Sequence, residues 1–202
     1  MEEGIHMHEI LNGYFHEQVT KSARDLSVDV PPETQMYLAD LCTRFANPEA
    51  LFAKTEGRNE LEPLALIMER ALEGDEIERI RTLRHLGDTA LYTSGFFADK
   101  IERTGVDVEY YVQMGGMAYS NVSSLAEGRA GRSFHGLYSS LSNHFHQLVT
   151  VLWELADRAR MTTSKGLLET YQKWEETGSD RLRRHLMKQG FVLSGTGRAY
   201  EC

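Results

Sequence analysis

EIERIRTLRHLGDTALYTSGFFADKIER, residues 76–103, decides the fold. Its apolar and small residues recur at three- and four-residue steps. At about 100° per residue, Ile80, Leu83, Gly87, Leu91, Ser94, Ala98 and Ile101 fall on one stripe of a helix. That stripe is expected to face a core, and its small members let a second helix approach closely. Arg81, Arg84, Asp88, Tyr92 and Asp99 share the opposite face. There Arg84 and Asp88, one turn apart, read as a solvated ion pair. Tyr92, Gly95 and Phe96 add aromatic and small surface to a side that solvation alone would leave charged. Aromatic-plus-arginine faces are what protein interfaces favour. Arg84, Asp88, Tyr92, Gly95 and Phe96 are therefore expected to form a contact surface for a protein partner or a second copy.

Outward from this segment every apolar pattern has a period near 3.6 residues, and no Val/Ile alternation indicates a strand. Met7, Ile10, Leu11, Tyr14 and Val19 mark an opening helix that fades near Arg24. Pro31-Pro32 begins a second helix, which ends at Asn47-Pro48. Leu61, Leu64, Met68 and Leu72 mark a short third helix closed by Gly74, and Asp75 is placed to cap the fourth. Thr104-Gly105 stops that helix, and Asp107 caps a fifth reaching about Glu127. The fifth gathers Val108, Tyr111, Val112, Gly115, Ala118, Tyr119 and Val122 on one face, with Tyr110 and Met117 opposite. A sixth helix spans Phe134 to about Arg160, and shorter ones cover Lys165–Thr177 and Arg181–Gln189. The expected fold is an all-α, single-domain bundle of seven or eight helices over residues 1–193. Residues 194–202 read as a mobile tail.

Three of the eight histidines lie on the sixth helix, but their phases diverge. Leu141, Leu148, Leu152 and Leu155 define its core side; His144 points inward, while His135 and His146 point away with Trp153. They cannot converge on one metal ion, and no pair of Glu-x-x-His motifs on interior helices supports a di-iron site. No metal site is expected. A lone inward His144 could ligate haem iron. The alternative reading is thus haem or another small ligand held between the fourth, fifth and sixth helices by His144, Tyr111, Tyr119 and Ser94. There is no phosphate loop, Gly-x-Gly-x-x-Gly, His-Glu-x-x-His or Gly-x-Ser-x-Gly elbow, so no catalytic residue is assigned.

Composition bounds the rest. Apolar residues at 41% and charged residues at 26% suit a folded globular chain. A net charge of −8 repels phosphate backbones, so nucleic acid is not an expected partner. No apolar run reaches the roughly 20 residues that a membrane helix needs, and no signal segment opens the chain. With only Cys42 and Cys202, a disulfide framework is not expected, and a cytoplasmic location is. Cys42 reads as a core thiol.

Arg84-His-Leu-Gly-Asp88, Leu91-Tyr-Thr-Ser-Gly-Phe-Phe97, Val106-Asp-Val-Glu-Tyr-Tyr111 and Met114-Gly-Gly-Met-Ala-Tyr119 together resemble a family of uncharacterised all-helical bacterial proteins. The resemblance covers about the central third of the chain. It implies a helical fold and a bacterial source, and it carries no activity, cofactor or catalytic residue. The functional expectation is a non-enzymatic protein acting through protein contacts as a regulator, adaptor or self-associating subunit.

Overall fold

A computed structural model describes residues 2–46, 53–55, 58–103, 105–126, 131–162 and 164–188. The segment 194–202, expected to be a tail, lies outside them, as does Cys202. The described helices are α1 (Glu2–Asp25), α2 (Pro32–Phe45), α3 (Leu64–Glu73), α4 (Glu76–Phe96), α5 (Ala98–Arg103), α6 (Val108–Ala126), α7 (Gly131–Asn143), α8 (Phe145–Thr162), α9 (Ser164–Thr177) and α10 (Asp180–Lys188). The fold is all-α, as the periodicity requires. No helix among the described residues is long and apolar enough to cross a membrane.

The helix count exceeds the expected seven or eight because two long helices break where no glycine or proline marks the break. Phe97 leaves helical geometry (φ −127°, ψ 23°), dividing the expected Glu76–Arg103 helix into α4 and α5. His144 interrupts the expected sixth helix, yet its N–H still donates to the Ser140 carbonyl at 3.0 Å. Its own carbonyl accepts from Leu148 N–H at 2.9 Å, so α7 and α8 follow one another with a single-residue interruption. A second difference lies between α2 and α3, where strands β1 (Ala53–Thr55) and β2 (Arg58–Glu60) pair antiparallel. No strand is expected from this polar sequence; two three-residue strands are too short to show an alternation.

The helix ends follow from local chemistry. Pro32 opens α2, where a missing N–H costs nothing. The Asp75 carboxylate accepts from Glu78 N–H at 2.9 Å and caps α4, and Asp107 does the same for Glu109 N–H ahead of α6. Ser27 closes the end of α1 in the left-handed region, with φ 56°. Gly178 takes the same conformation between α9 and α10, its N–H donating to the Trp174 carbonyl at 2.8 Å.

The helices gather into two compact units, Met1–Glu154 and Leu155–Cys202, with the boundary inside α8. In the first, the most extensive contacts join α4 to α6, α6 to α7, α1 to α2 and α3 to α4. In the second, α9 and α10 pack together around the turn at Gly178.

Glycine makes the α4–α6 crossing possible. A Cβ on Gly87 would lie 2.5 Å from the Tyr119 ring, and one on Gly115 would lie 2.3 Å from the Phe145 ring and 2.8 Å from the Ala90 Cβ. Both contacts are closer than carbon atoms approach without displacement. A third close approach, Gly95 against the Leu152 Cβ, is not visible from the stripe. Gly13 on α1, by contrast, has nothing within 4 Å of its Cβ position. Gly87→Leu and Gly115→Leu should therefore each destabilise by about 1–3 kcal/mol through overpacking. Gly13→Ala should gain up to about 1 kcal/mol from helix propensity. Thermal melts of the three variants check the contrast; unchanged midpoints for Gly87→Leu and Gly115→Leu would contradict the crossing geometry.

Candidate functional site

The most polar feature of the interior is a carboxylate. Asp88, near the middle of α4, is 1% exposed. Its Oδ1 accepts hydrogen bonds from the Tyr37 hydroxyl on α2 at 2.5 Å and the Tyr119 hydroxyl on α6 at 2.7 Å. Its Oδ2 accepts from Arg44 Nη2 on α2 at 3.0 Å, and Arg84 Nε stands 3.9 Å away. The Tyr138 hydroxyl on α7 lies 3.4 Å from that of Tyr37. The Tyr37, Tyr119 and Tyr138 rings pack edge-on or tilted on one another, with centroids 5.7–6.3 Å apart. One carboxylate thus ties together residues of α2, α4 and α6, and through Tyr37 it reaches α7.

Spacing explains how α2 contributes twice. Tyr37 and Arg44 are two turns apart and so lie on one face. Arg44 also binds Asp40 at 2.9 Å, and its guanidinium stands over the Phe45 ring. The Arg84 guanidinium stands over the Tyr37 ring, 5.7 Å from its centroid. Both arginines keep part of their side chains in water while their heads neutralise a charge that water does not reach.

Burying an ionised carboxylate without partners is prohibitive; with three donors, two of them neutral phenols and one a cation, it is sustained. The phenols answer in kind. Burial first, and then the Asp88 charge, push the Tyr37 and Tyr119 hydroxyls well above the ordinary tyrosine range, so both remain protonated donors. For Arg44 burial opposes the charge, but Asp88 and Asp40 outweigh it and the guanidinium is held more firmly protonated than usual. His85, one turn from Arg81 and half-buried, is pushed below its ordinary value chiefly by burial.

The expected contact face on this helix is corrected by these positions. Asp88 is an internal anchor and not a solvated partner of Arg84. Tyr92 is 7% exposed, stacks on Phe96 with centroids 4.4 Å apart, and meets the Phe45 ring at 5.1 Å. Gly95 is buried against Leu152. Of the five residues only Arg84 and Phe96 keep partial exposure. The physical reason is that α4 is buried on every side from Leu86 to Gly95, so the segment has no outer face there.

The alternative ligand set is dispersed among separate tasks. The Ser94 hydroxyl donates to the Ala90 carbonyl at 2.7 Å within its own helix, and Tyr119 donates to Asp88. His144 is half-buried, with Nδ1 2.9 Å from the Ser140 carbonyl. Tyr111 is half-exposed, its ring edge-on to Tyr110. Ser94, Tyr119 and His144 thus each have a polar partner outside the set. His146 and Trp153 are exposed as their phase indicates, but His135 is half-buried, its Nδ1 3.0 Å from Ser123 Oγ. Among the described residues no group of three or more His, Cys, Asp or Glu side chains could hold a metal ion. Cys42 is a fully buried thiol, held protonated by its burial.

No protein-family model, curated protein or solved structure matches the chain. The resemblance seen in its central third therefore rests on the quoted motifs alone.

The raised phenols give the cluster a pH signature. In the unfolded chain a tyrosine ionises near pH 10, whereas Tyr37 and Tyr119 resist ionisation when folded. The stability they contribute is complete below about pH 10 and is lost as pH rises toward their folded values, by up to about 1.4 kcal/mol per pH unit for each phenol. Tyr37→Phe and Tyr119→Phe should each cost about 1.5–3 kcal/mol at neutral pH, the worth of a hydrogen bond to a charged group. Each should also flatten the alkaline decline. Denaturant unfolding across pH, beside the tyrosinate absorbance, measures both; an alkaline profile identical to wild type would show that the phenols are not so held.

Proposed function

We propose that the protein is a non-enzymatic helical protein that works through protein contacts, as a self-associating subunit, regulator or adaptor, in the cytoplasm and without a cofactor. The observation that carries this reading is on α1. Ile10 is 53% exposed and Tyr14 48% exposed, one turn apart on a helix whose later turns bury Val19, Ser22 and Ala23. Exposed apolar pairs at helical spacing are what a partner helix or groove covers. The interior supports the same reading, since the polar groups around Asp88 are directed at one another. The proposed contact surface is therefore put on a peripheral helix and not on the Leu86–Gly95 stretch of α4, which is buried.

Native mass spectrometry of the purified full chain, with its absorption spectrum, tests the reading. The expected result is a colourless protein whose species contain polypeptide only, as multiples of the chain or as the chain with a protein partner. A Soret band or a stoichiometric small molecule would replace this reading with the ligand-binding one.

A further inference from the structure

We propose that the corner between α3 and α4 docks helix α10 of a second copy of this chain. The inference rests on the protein-contact reading, to which it adds a surface and its partner. Among the described residues, Ile77 at 71% and Leu72 at 68% exposure are the most exposed of the large apolar side chains, and they stand on either side of the turn at Gly74 and Asp75. The corner is held in place: the Arg79 guanidinium donates to the carbonyls of Ala71, Leu72 and Gly74, tying the first turn of α4 to the last turn of α3, and Asp75 caps α4. Leu64, Ile67 and Ala71 already supply the buried face of α3, so the core does not use Leu72. Acids surround the pair. From Glu69 to Glu78 five exposed acids, Glu69, Glu73, Asp75, Glu76 and Glu78, stand against a single base, Arg70, and Glu62 pairs with that base at 2.9 Å. An apolar contact rimmed by acids is matched by an apolar side chain rimmed by bases.

Helix α10 carries that counterpart. Turning at about 100° per residue from Arg183, Met187 falls at about 40° and Arg184 at about 100°, so the methionine lies between two arginines one turn before it. Met187 is 55% exposed and both arginines are exposed, while Leu186 on the other side is fully buried. The acid on the same side, Asp180, is two turns from Met187. Arg181 pairs with Asp157 at 3.7 Å and is not needed for the match. The contrast extends to the whole chain. Of its 22 Lys and Arg and 30 Asp and Glu, residues 155–202 hold nine and six, which leaves thirteen and twenty-four to residues 1–154. The first unit is therefore repelled by its like and attracted by the second unit of another copy, so one sequence supplies both the acid and the base of the contact. Two different patches in contact make a heterologous assembly, in which each copy gives one patch and receives the other. A small surface held by exposed charges is weakened by salt and by dilution.

Sedimentation velocity of the full chain over a concentration series tests the docking, with thermal melts to establish that each variant is folded. Wild type should associate as concentration rises and return to single chains as ionic strength goes from about 0.05 to about 0.5 M. Leu72→Ser combined with Ile77→Ser should weaken association several-fold. Two charge reversals separate the patches: Glu69→Arg with Glu73→Arg on α3, and Arg183→Glu with Arg184→Glu on α10, each pair nearer the helix end whose dipole favours the new charge. Either reversal alone should give a monomer. An equimolar mixture of the two should associate as wild type does, because each variant then meets a patch of the opposite sign on the other. The mixture is the decisive arm: it recovers only when the corner and α10 belong to different chains, and α10 resting on the corner of its own chain would leave it monomeric. A wild type that is monomeric at every concentration, or a mixture that stays monomeric, overturns the inference. Association that survives either reversal, or the loss of Leu72 and Ile77, overturns it too, yet leaves the protein-contact reading standing on another surface. That reading fails separately, on a bound small molecule in the native mass spectrum.

Discussion

Asp88 takes a negative charge to a place where water does not reach, and much of the first unit is arranged around that demand. The carboxylate has two oxygens and receives two phenol hydroxyls on one and a guanidinium on the other, from α2 and α6. Removing a single donor would leave part of a buried charge unanswered, which costs more than the net worth of the bond itself. The geometry also admits one register. Rotating α4 by one residue would swing Asp88 about 100° away from Tyr37 and Tyr119 together. An apolar core of the same volume would tolerate such slippage far better, because dispersion contacts are not directional.

The glycines and the carboxylate serve the same crossing. Gly87 precedes Asp88, and its missing side chain admits the Tyr119 ring, whose hydroxyl then reaches Asp88. Gly115 admits Phe145 and Ala90, so that α6 lies close against α4 over two turns. Close approach brings the phenol within hydrogen-bonding distance, and the hydrogen bond holds the ring in the gap that glycine leaves. Neither device would work without the other. A Cβ at residue 87 would displace the Tyr119 ring from Asp88, and a solvated residue 88 would leave the Tyr119 hydroxyl buried without a charged acceptor.

Much of this fold is legible in the sequence, and the reason lies in particular residues. Asp75, Asp107, Pro32 and Gly178 announce helix ends through chemistry local to a few residues. The faces of α6 and α8 follow from a single apolar side. On α4 the same procedure assigns Gly87, Leu91 and Ser94 to the interior but puts Asp88, Tyr92 and Gly95 outside. The error comes from assuming that one face must be wet. From Leu86 to Ala98 Asp88 is the only charged residue, and a helix without a charged face is a helix enclosed on all sides. That signal is present, but its meaning depends on Tyr37, Arg44 and Tyr119, which are distant in sequence and carry no mark of their purpose. The breaks at Phe97 and His144 lack even that much, since neither position carries a glycine or proline.

The stretch of α4 from Leu86 to Gly95, enclosed on every side, has a consequence for function. That segment cannot present a surface, so its polar residues are devoted to holding neighbours, and a contact with another molecule has to use exposed segments elsewhere. α1 has such a segment. Its last turns are secured by Val19, Ser22 and Ala23, whereas from His8 to Gln18 it contributes nothing fully buried. Ile10 and Tyr14 there stay about half exposed, and a polar residue at either would be compatible with the same fold. What the interior does not require of these residues leaves this part of α1 open to the protein contacts proposed above.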